Sequence, residues 1–89
     1  MTLDTRFKRC REVVEREDEE TLLFHRKTSE IKVINHTGKF VWDRLDGKTP
    51  FSAIAAAMVK EYRIEPAAAE KDAGKFLQEL IGMKFITPL

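Results

Sequence analysis

The chain is poor in the residues on which most chemical sites depend. Its 89 residues include one cysteine and two histidines. The single thiol, Cys10, cannot form an internal disulfide, and no pair of Cys or His residues has the spacing of a metal site. The four glycines are scattered, which excludes a phosphate-binding glycine loop. We therefore predict that the protein is not an enzyme and that it has no catalytic residue, metal or cofactor.

A dominant charge and a long apolar run are missing as well. Lys and Arg number 16 against 15 Asp and Glu, which gives no general basis for binding nucleic acid. The longest apolar stretch, residues 52–59, is far shorter than the roughly 20 residues that cross a bilayer. The first residues lack the apolar run of a signal peptide. The sequence predicts a single cytoplasmic domain with one modest core and no membrane partner.

Charge is concentrated in the first third of the chain. Residues 1–30 hold 15 of the 31 charged residues, so this part cannot fill a core alone. We predict a flexible N-terminal tail over residues 1–10 and a single domain over residues 11–89. Strand character is found in three short runs, at about 12–16, 21–26 and 30–35. Four-residue linkers between the runs favour an antiparallel meander.

After Asn35 the apolar pattern changes from strand to helix spacing. We predict helices at about 37–45, 50–62 and 66–81, the first capped by Thr37 and the others begun by proline at the first helical position. The predicted fold class is therefore α+β, with a three-stranded antiparallel sheet followed by three helices. We expect Trp42 and Phe76 in the core, His25 on the solvated face of a strand, and His36 in the turn before the first helix.

Residues 34–47 carry the most specific pattern in the chain. They read Ile-Asn-His-Thr-Gly-Lys-Phe-Val-Trp-Asp-Arg-Leu-Asp-Gly. This stretch resembles the Leu-Asn-x-Thr-Gly-x-x-Ile-Trp-x-x-Leu-Asp-Gly signature of the PqqD family, the coenzyme PQQ synthesis protein D-like domains, also called precursor-peptide recognition elements. The resemblance covers about residues 30–87, and it does not identify the peptide or the final product.

The resemblance implies a winged-helix-like peptide chaperone. It would bind the leader of a ribosomally made precursor peptide and present it to a modifying enzyme, often of the radical S-adenosylmethionine (SAM) type. The leader would add as a strand to the third strand, beside the third helix. The pairing edge would be Ile31, Lys32, Val33, Ile34 and Asn35. From helical spacing we place the wall of the site at Ala68, Asp72, Lys75 and Glu79, with Phe76 as its apolar floor.

Two other functions are open at this point. The helices could form a winged helix-turn-helix that binds DNA. The third helix, however, carries two Lys against three Asp and Glu, a net charge of −1, and neutralising phosphates supplies much of the affinity of such proteins. The domain could also be a plain oligomerisation or adaptor module. The sequence leaves the oligomeric state undetermined.

Overall fold

The computed structural model describes all 89 residues, which form six strands and three helices. The predicted α+β class, with an N-terminal antiparallel sheet followed by three helices, is confirmed. In chain order the elements are β1 Arg6–Arg9, β2 Val13–Glu17, β3 Thr21–His25, β4 Ile31–Ile34, α1 His36–Trp42, β5 Asp46–Pro50, α2 Phe51–Tyr62, α3 Pro66–Gly82 and β6 Ile86–Pro88.

The predicted meander is one of two small sheets. Its strand order is β2–β3–β4, and all pairs are antiparallel. Thr21, Leu23 and His25 are buried along β3, whereas the alternate residues Leu22 and Phe24 are only partly buried. This period of two shows that one face of the sheet covers the core.

The second sheet corrects the prediction of a flexible tail over residues 1–10. β1 is the middle strand of a sheet with the order β5–β1–β6, and Phe7 is completely buried. The backbone N–H groups of Phe51 and Ser52, which open α2, donate to the carbonyl oxygens of Thr5 and Leu3 at 2.8 and 2.9 Å. The start of the chain is fixed because it satisfies donors that a helix terminus cannot pair internally.

The core lies where both sheets meet the helices. It contains 16 buried apolar residues, including Phe7 from β1, Leu23 from β3 and Phe85 beside β6. Trp42 is only 2% exposed, so its predicted place in the core is confirmed. The helices contribute the stripes predicted from their spacing: α2 buries Ile54 and Met58 among others, and α3 buries four residues that lie about one turn apart.

The boundaries of α1 differ from the prediction. Asn35, rather than Thr37, caps the helix: its side-chain oxygen accepts the backbone N–H of Gly38 at 2.8 Å. The helix ends at Trp42, and β5 follows where the sequence predicted only a turn. Asp46 begins β5. Its side chain accepts hydrogen bonds from the backbone N–H groups of Lys48 and Thr49, which forms a local turn at the start of the strand. No helix in the molecule is long and apolar enough to span a bilayer.

Candidate functional site: an open strand edge beside α3

β4 is the edge strand of the meander. It pairs with β3 alone, and no other strand lies along its second side. The backbone N–H of His25 donates to the carbonyl oxygen of Glu30 at 2.9 Å, which makes these two residues a hydrogen-bonded pair. Hydrogen-bonded and non-hydrogen-bonded pairs alternate along an antiparallel ladder. Lys32 and Ile34 therefore bond to β3, whereas the N–H and C=O groups of Ile31 and Val33 point away from the sheet.

A groove of about 260 Å³ separates this edge from α3. Helix α3 turns Ala69, Ala73, Leu77 and Leu80 into the core, so the adjoining flank faces β4. Eight of the ten predicted site residues come together here. They are Lys32, Val33, Ile34, Asn35, Asp72, Lys75, Phe76 and Glu79.

Two predicted residues do not line the groove. Ile31 lies on β4 at the end far from the groove residues, and its side chain is 55% exposed. Ala68 is exposed in the first turn of α3 and does not contribute to the groove wall. The wall therefore extends over Asp72–Glu79 and is one turn shorter than predicted.

The groove continues into a second cavity of about 280 Å³, towards the start of α1. The two share Asn35, Asp72 and Phe76. The sequence analysis did not assign the other lining residues to the site, although two of them belong to the quoted motif signature as Thr-Gly. Those residues are Thr37, Gly38, Val41, Met58 and Ala73.

Gly38 allows α1 to approach Phe76 closely. A β-carbon on Gly38 would lie 3.3 Å from the Phe76 ring and 3.1 Å from the side chain of Ile34. Both distances are tighter than ordinary van der Waals contact. The glycine of the motif therefore sets the position of the ring, which lies only partly buried between the two cavities.

An ion pair joins the two walls of the groove. Lys32 Nζ on β4 lies 2.7 Å from Glu79 Oε2 on α3. The hydrogen bond from Lys32, together with its charge, lowers the pKa of Glu79 below its ordinary value of 4.5, and Lys75 adds to the effect. Both side chains of the pair remain partly exposed, so the pair screens readily and gives modest stabilisation.

A second polar network attaches α1 to the meander. Glu15 on β2 accepts a hydrogen bond from the Trp42 ring nitrogen at 3.0 Å and forms a 2.8 Å ion pair with Lys39. Lys39 also contacts Asp43, and hydrogen bonds to both carboxylates raise the pKa of Lys39. The network orients the start of α1, which carries the Thr37–Gly38 part of the cavity.

His25 was expected on a solvated face, and this expectation is wrong, because the side chain is only 5% exposed. Its Nδ1 atom accepts the backbone N–H groups of Lys27 and Thr28, each at 3.2 Å. The proton of the neutral ring is therefore on Nε2, which lies 3.7 Å from the Cys10 sulfur and donates towards it. A ring held in this tautomer cannot accept the thiol proton as a general base.

His36, the other histidine, opens α1 on the surface. No cluster of three or more His, Cys, Asp or Glu side chains has the geometry of a metal site. The arrangement of β4 and α3 combines four unpaired backbone groups with the partly buried Phe76 ring and four charged side chains.

Exposed sheet edges are places where several kinds of protein domain bind extended peptides by strand addition. Comparison with known proteins identifies the family. The family model for coenzyme PQQ synthesis protein D (PqqD) matches residues 20–86, and the chain belongs to this family. A search of the curated proteins finds no match.

Two solved structures share the fold. One is TbiB1 in complex with the TbiA(beta) leader peptide, 25% identical, with a TM-score of 0.80 over 89% of this chain and 93% of that one. The other is lasso peptide synthetase B1 complexed with the leader peptide, 21% identical, with a TM-score of 0.83 over 93% and 99%.

Proposed function

We propose that this protein binds an extended leader segment of a ribosomally made precursor peptide and presents it to a modifying enzyme. The leader adds as a fourth strand to β4 and lies in the groove against α3. One observation carries the proposal: the N–H and C=O groups of Ile31 and Val33 are unpaired along an edge that faces a groove. Membership of the PqqD family supports it, as does the TbiB1 structure, which was solved with a leader peptide.

Backbone pairing alone is insufficient for useful affinity. Four hydrogen bonds at about 1 kcal/mol each contribute roughly 4 kcal/mol, whereas association costs an estimated 4–15 kcal/mol. Two or three buried apolar leader side chains, at about 1.5–3 kcal/mol each, must supply the remainder. Phe76 and the cavity beside Gly38 are where we place them. Lys32, Asp72, Lys75 and Glu79 then select among leaders by charge at the rim.

The type of the modifying enzyme is a finer part of the proposal. Resemblance to the family implies a radical SAM partner, whereas one of the two solved structures is of lasso peptide synthetase B1. We retain the radical SAM enzyme as the partner to be tested and place the encounter in the cytoplasm, where precursor peptides are synthesised. A search of the neighbouring genes for a precursor peptide and a radical SAM enzyme, followed by a pull-down of their products with the purified chain, would test this step separately from leader binding.

The direct test of leader binding is an amide-exchange measurement by NMR on the full-length protein. The TbiA(beta) leader is the first probe, followed by any precursor leader found among the neighbouring genes, and a scrambled peptide is the control. We expect the amides of Ile31 and Val33 to exchange rapidly in the free protein and to become protected in the complex. The amides of Lys32 and Ile34 already bond to β3 and serve as internal controls. Binding without new protection at Ile31 and Val33 would contradict strand addition.

A further inference from the structure

The outer face of the β2–β3–β4 sheet is mostly apolar and presents one polar side chain, Arg16. Six residues share this face in two cross-strand rows. Five are apolar, and among them Val14, Ile31 and Val33 are 44–55% exposed. An antiparallel sheet with one wet face normally alternates apolar and polar residues. The rows are Val14–Phe24–Ile31 and Arg16–Leu22–Val33.

Opposite charges flank this apolar face at its two ends. The β2–β3 turn, Glu17–Glu20, contains four acidic residues, and none of them forms an ion pair. The β3–β4 turn, residues 26–29, contains Arg26 and Lys27. Arg26 pairs with Glu12, and Lys27 has no ionic partner. With Arg11 and Glu30, which lie at the same end, the charges there sum to +1, against −4 for residues 17–20. The five residues of β3 separate the turns by roughly 17 Å, about twice the screening length at physiological salt.

We infer that a second copy of this chain covers the outer face, forming a symmetric dimer of two packed sheets. The two-fold axis lies between the sheets and runs across the strands. This axis places the acidic turn of each copy over the basic turn of its partner. An axis along the strands would instead place acid over acid. Charge therefore selects one of the two symmetric ways of packing the same apolar face.

This arrangement leaves the proposed peptide edge open. Because the axis crosses the strands, each strand lies over its own counterpart, and both β4 edges are on the same side of the dimer. Each edge points outward in the plane of its sheet and not into the dimer interface, so the dimer neither requires nor blocks strand addition. The dimer can therefore be tested independently of the proposed function.

The size of the face indicates a reversible dimer. Its five apolar side chains form a patch of the order of 300–600 Å², as found at functional surfaces of small proteins. When two such faces pack together, the total area buried does not exceed about 1,200 Å², which is the lower limit for stable complexes. We expect a monomer–dimer equilibrium that depends on concentration, with both species observable.

Sedimentation velocity of the full-length protein over a range of concentrations tests the inference, using two charge-reversed variants. Asp18→Lys with Glu19→Lys and Glu20→Lys changes the charge of residues 17–20 from −4 to +2, so that both ends are basic, and Arg26→Glu with Lys27→Glu makes both ends acidic. Each variant alone should dimerise at least about tenfold more weakly, because symmetry repeats every repulsive contact twice. An equimolar mixture should restore dimerisation, since every acidic end then meets a basic end.

Two controls make the result specific. Glu61→Lys with Glu65→Lys and Glu70→Lys changes the net charge by the same +6 as the lysine variant at exposed positions away from the sheet, and it should leave dimerisation unchanged. Val14→Lys tests the apolar face itself and should abolish the dimer, with circular dichroism confirming the fold of every variant. A wild type that stays monomeric at all concentrations overturns the inference and assigns the face to a different partner protein. A dimer unaffected by both charge reversals, or no recovery in the mixture, overturns it as well.

Discussion

Replacing Val33 by proline is the sharpest test of the open edge. The β3–β4 register directs the Val33 N–H away from β3, so the substitution removes no hydrogen bond from the folded sheet. Proline deletes this donor, and its ring occupies the space into which the incoming strand must bring an acceptor. If the leader pairs antiparallel to β4, the carbonyl group of Val33 bonds to the same leader residue, and its hydrogen bond is lost together with that of the N–H.

The expected effect follows from these two bonds. Two of the four edge hydrogen bonds, at about 1 kcal/mol each, amount to about 2 kcal/mol. A loss of this size weakens the dissociation constant about 30-fold. Isothermal titration calorimetry with the leader peptide measures it directly, and the thermal unfolding midpoint shows whether the domain itself is intact.

Matched variants separate the backbone effect from loss of the side chain. Val33→Ala retains the N–H group and should bind within a few-fold of wild type. Lys32→Pro removes a donor that bonds to β3 and should instead lower the stability of the meander. If Val33→Pro folds normally and binds the leader with wild-type affinity, the leader does not pair with β4, and the reasoning from the register is wrong.

The remaining predictions concern the framework of the site. Trp42→Ala should lower the free energy of unfolding by about 3–5 kcal/mol in a denaturant titration, because the ring is buried and also donates to Glu15; unchanged stability with lost binding would instead move Trp42 into the site. Gly38→Ala should weaken leader affinity by displacing the Phe76 ring, whereas Gly82→Ala, which meets nothing within 4 Å, should leave affinity unchanged in the same calorimetric assay. The pKa of Glu79 is lowered in the folded state, so its contribution to stability is present above its ordinary pKa of 4.5 and is lost as the pH falls through the lower folded value. Glu79→Gln should therefore reduce the acid-side loss of stability in unfolding curves recorded over that range, and an identical pH profile would contradict the role of the Lys32 pair.

The parts of the fold that follow from local patterns could be predicted. The apolar stripes of α2 and α3 recur every three to four residues, and proline opens or precedes both helices, so their bounds shift by no more than one residue. The edge residues 31–35 and the groove flank of α3 were also predictable. Strand β4 leads directly into the family motif, and the groove flank of α3 lies next to the row of apolar residues that the helix turns into the core. Asp72, Lys75 and Glu79 therefore lie where helical spacing placed them.

The sequence did not indicate the features that depend on distant pairing. β1 pairs with residues about 40 and 80 positions further along the chain, and its run Arg-Phe-Lys-Arg contains only one apolar residue. Nothing local distinguishes such a strand from a charged tail. The burial of His25 was missed for a related reason, since it depends on Phe85 and Cys10 packing against the ring from other elements.

The amino-acid sequence by itself determined the fold class, the family and the strand that offers an edge, because periodicity and the spacing from Asn35 to Gly47 are properties of neighbouring residues. Only the tertiary structure decided that the edge is unpaired, which backbone groups point outward and that Gly38 positions Phe76 between two cavities. These properties arise when segments far apart in the chain are packed together, and local propensity carries no information about which distant segment a strand or ring will meet.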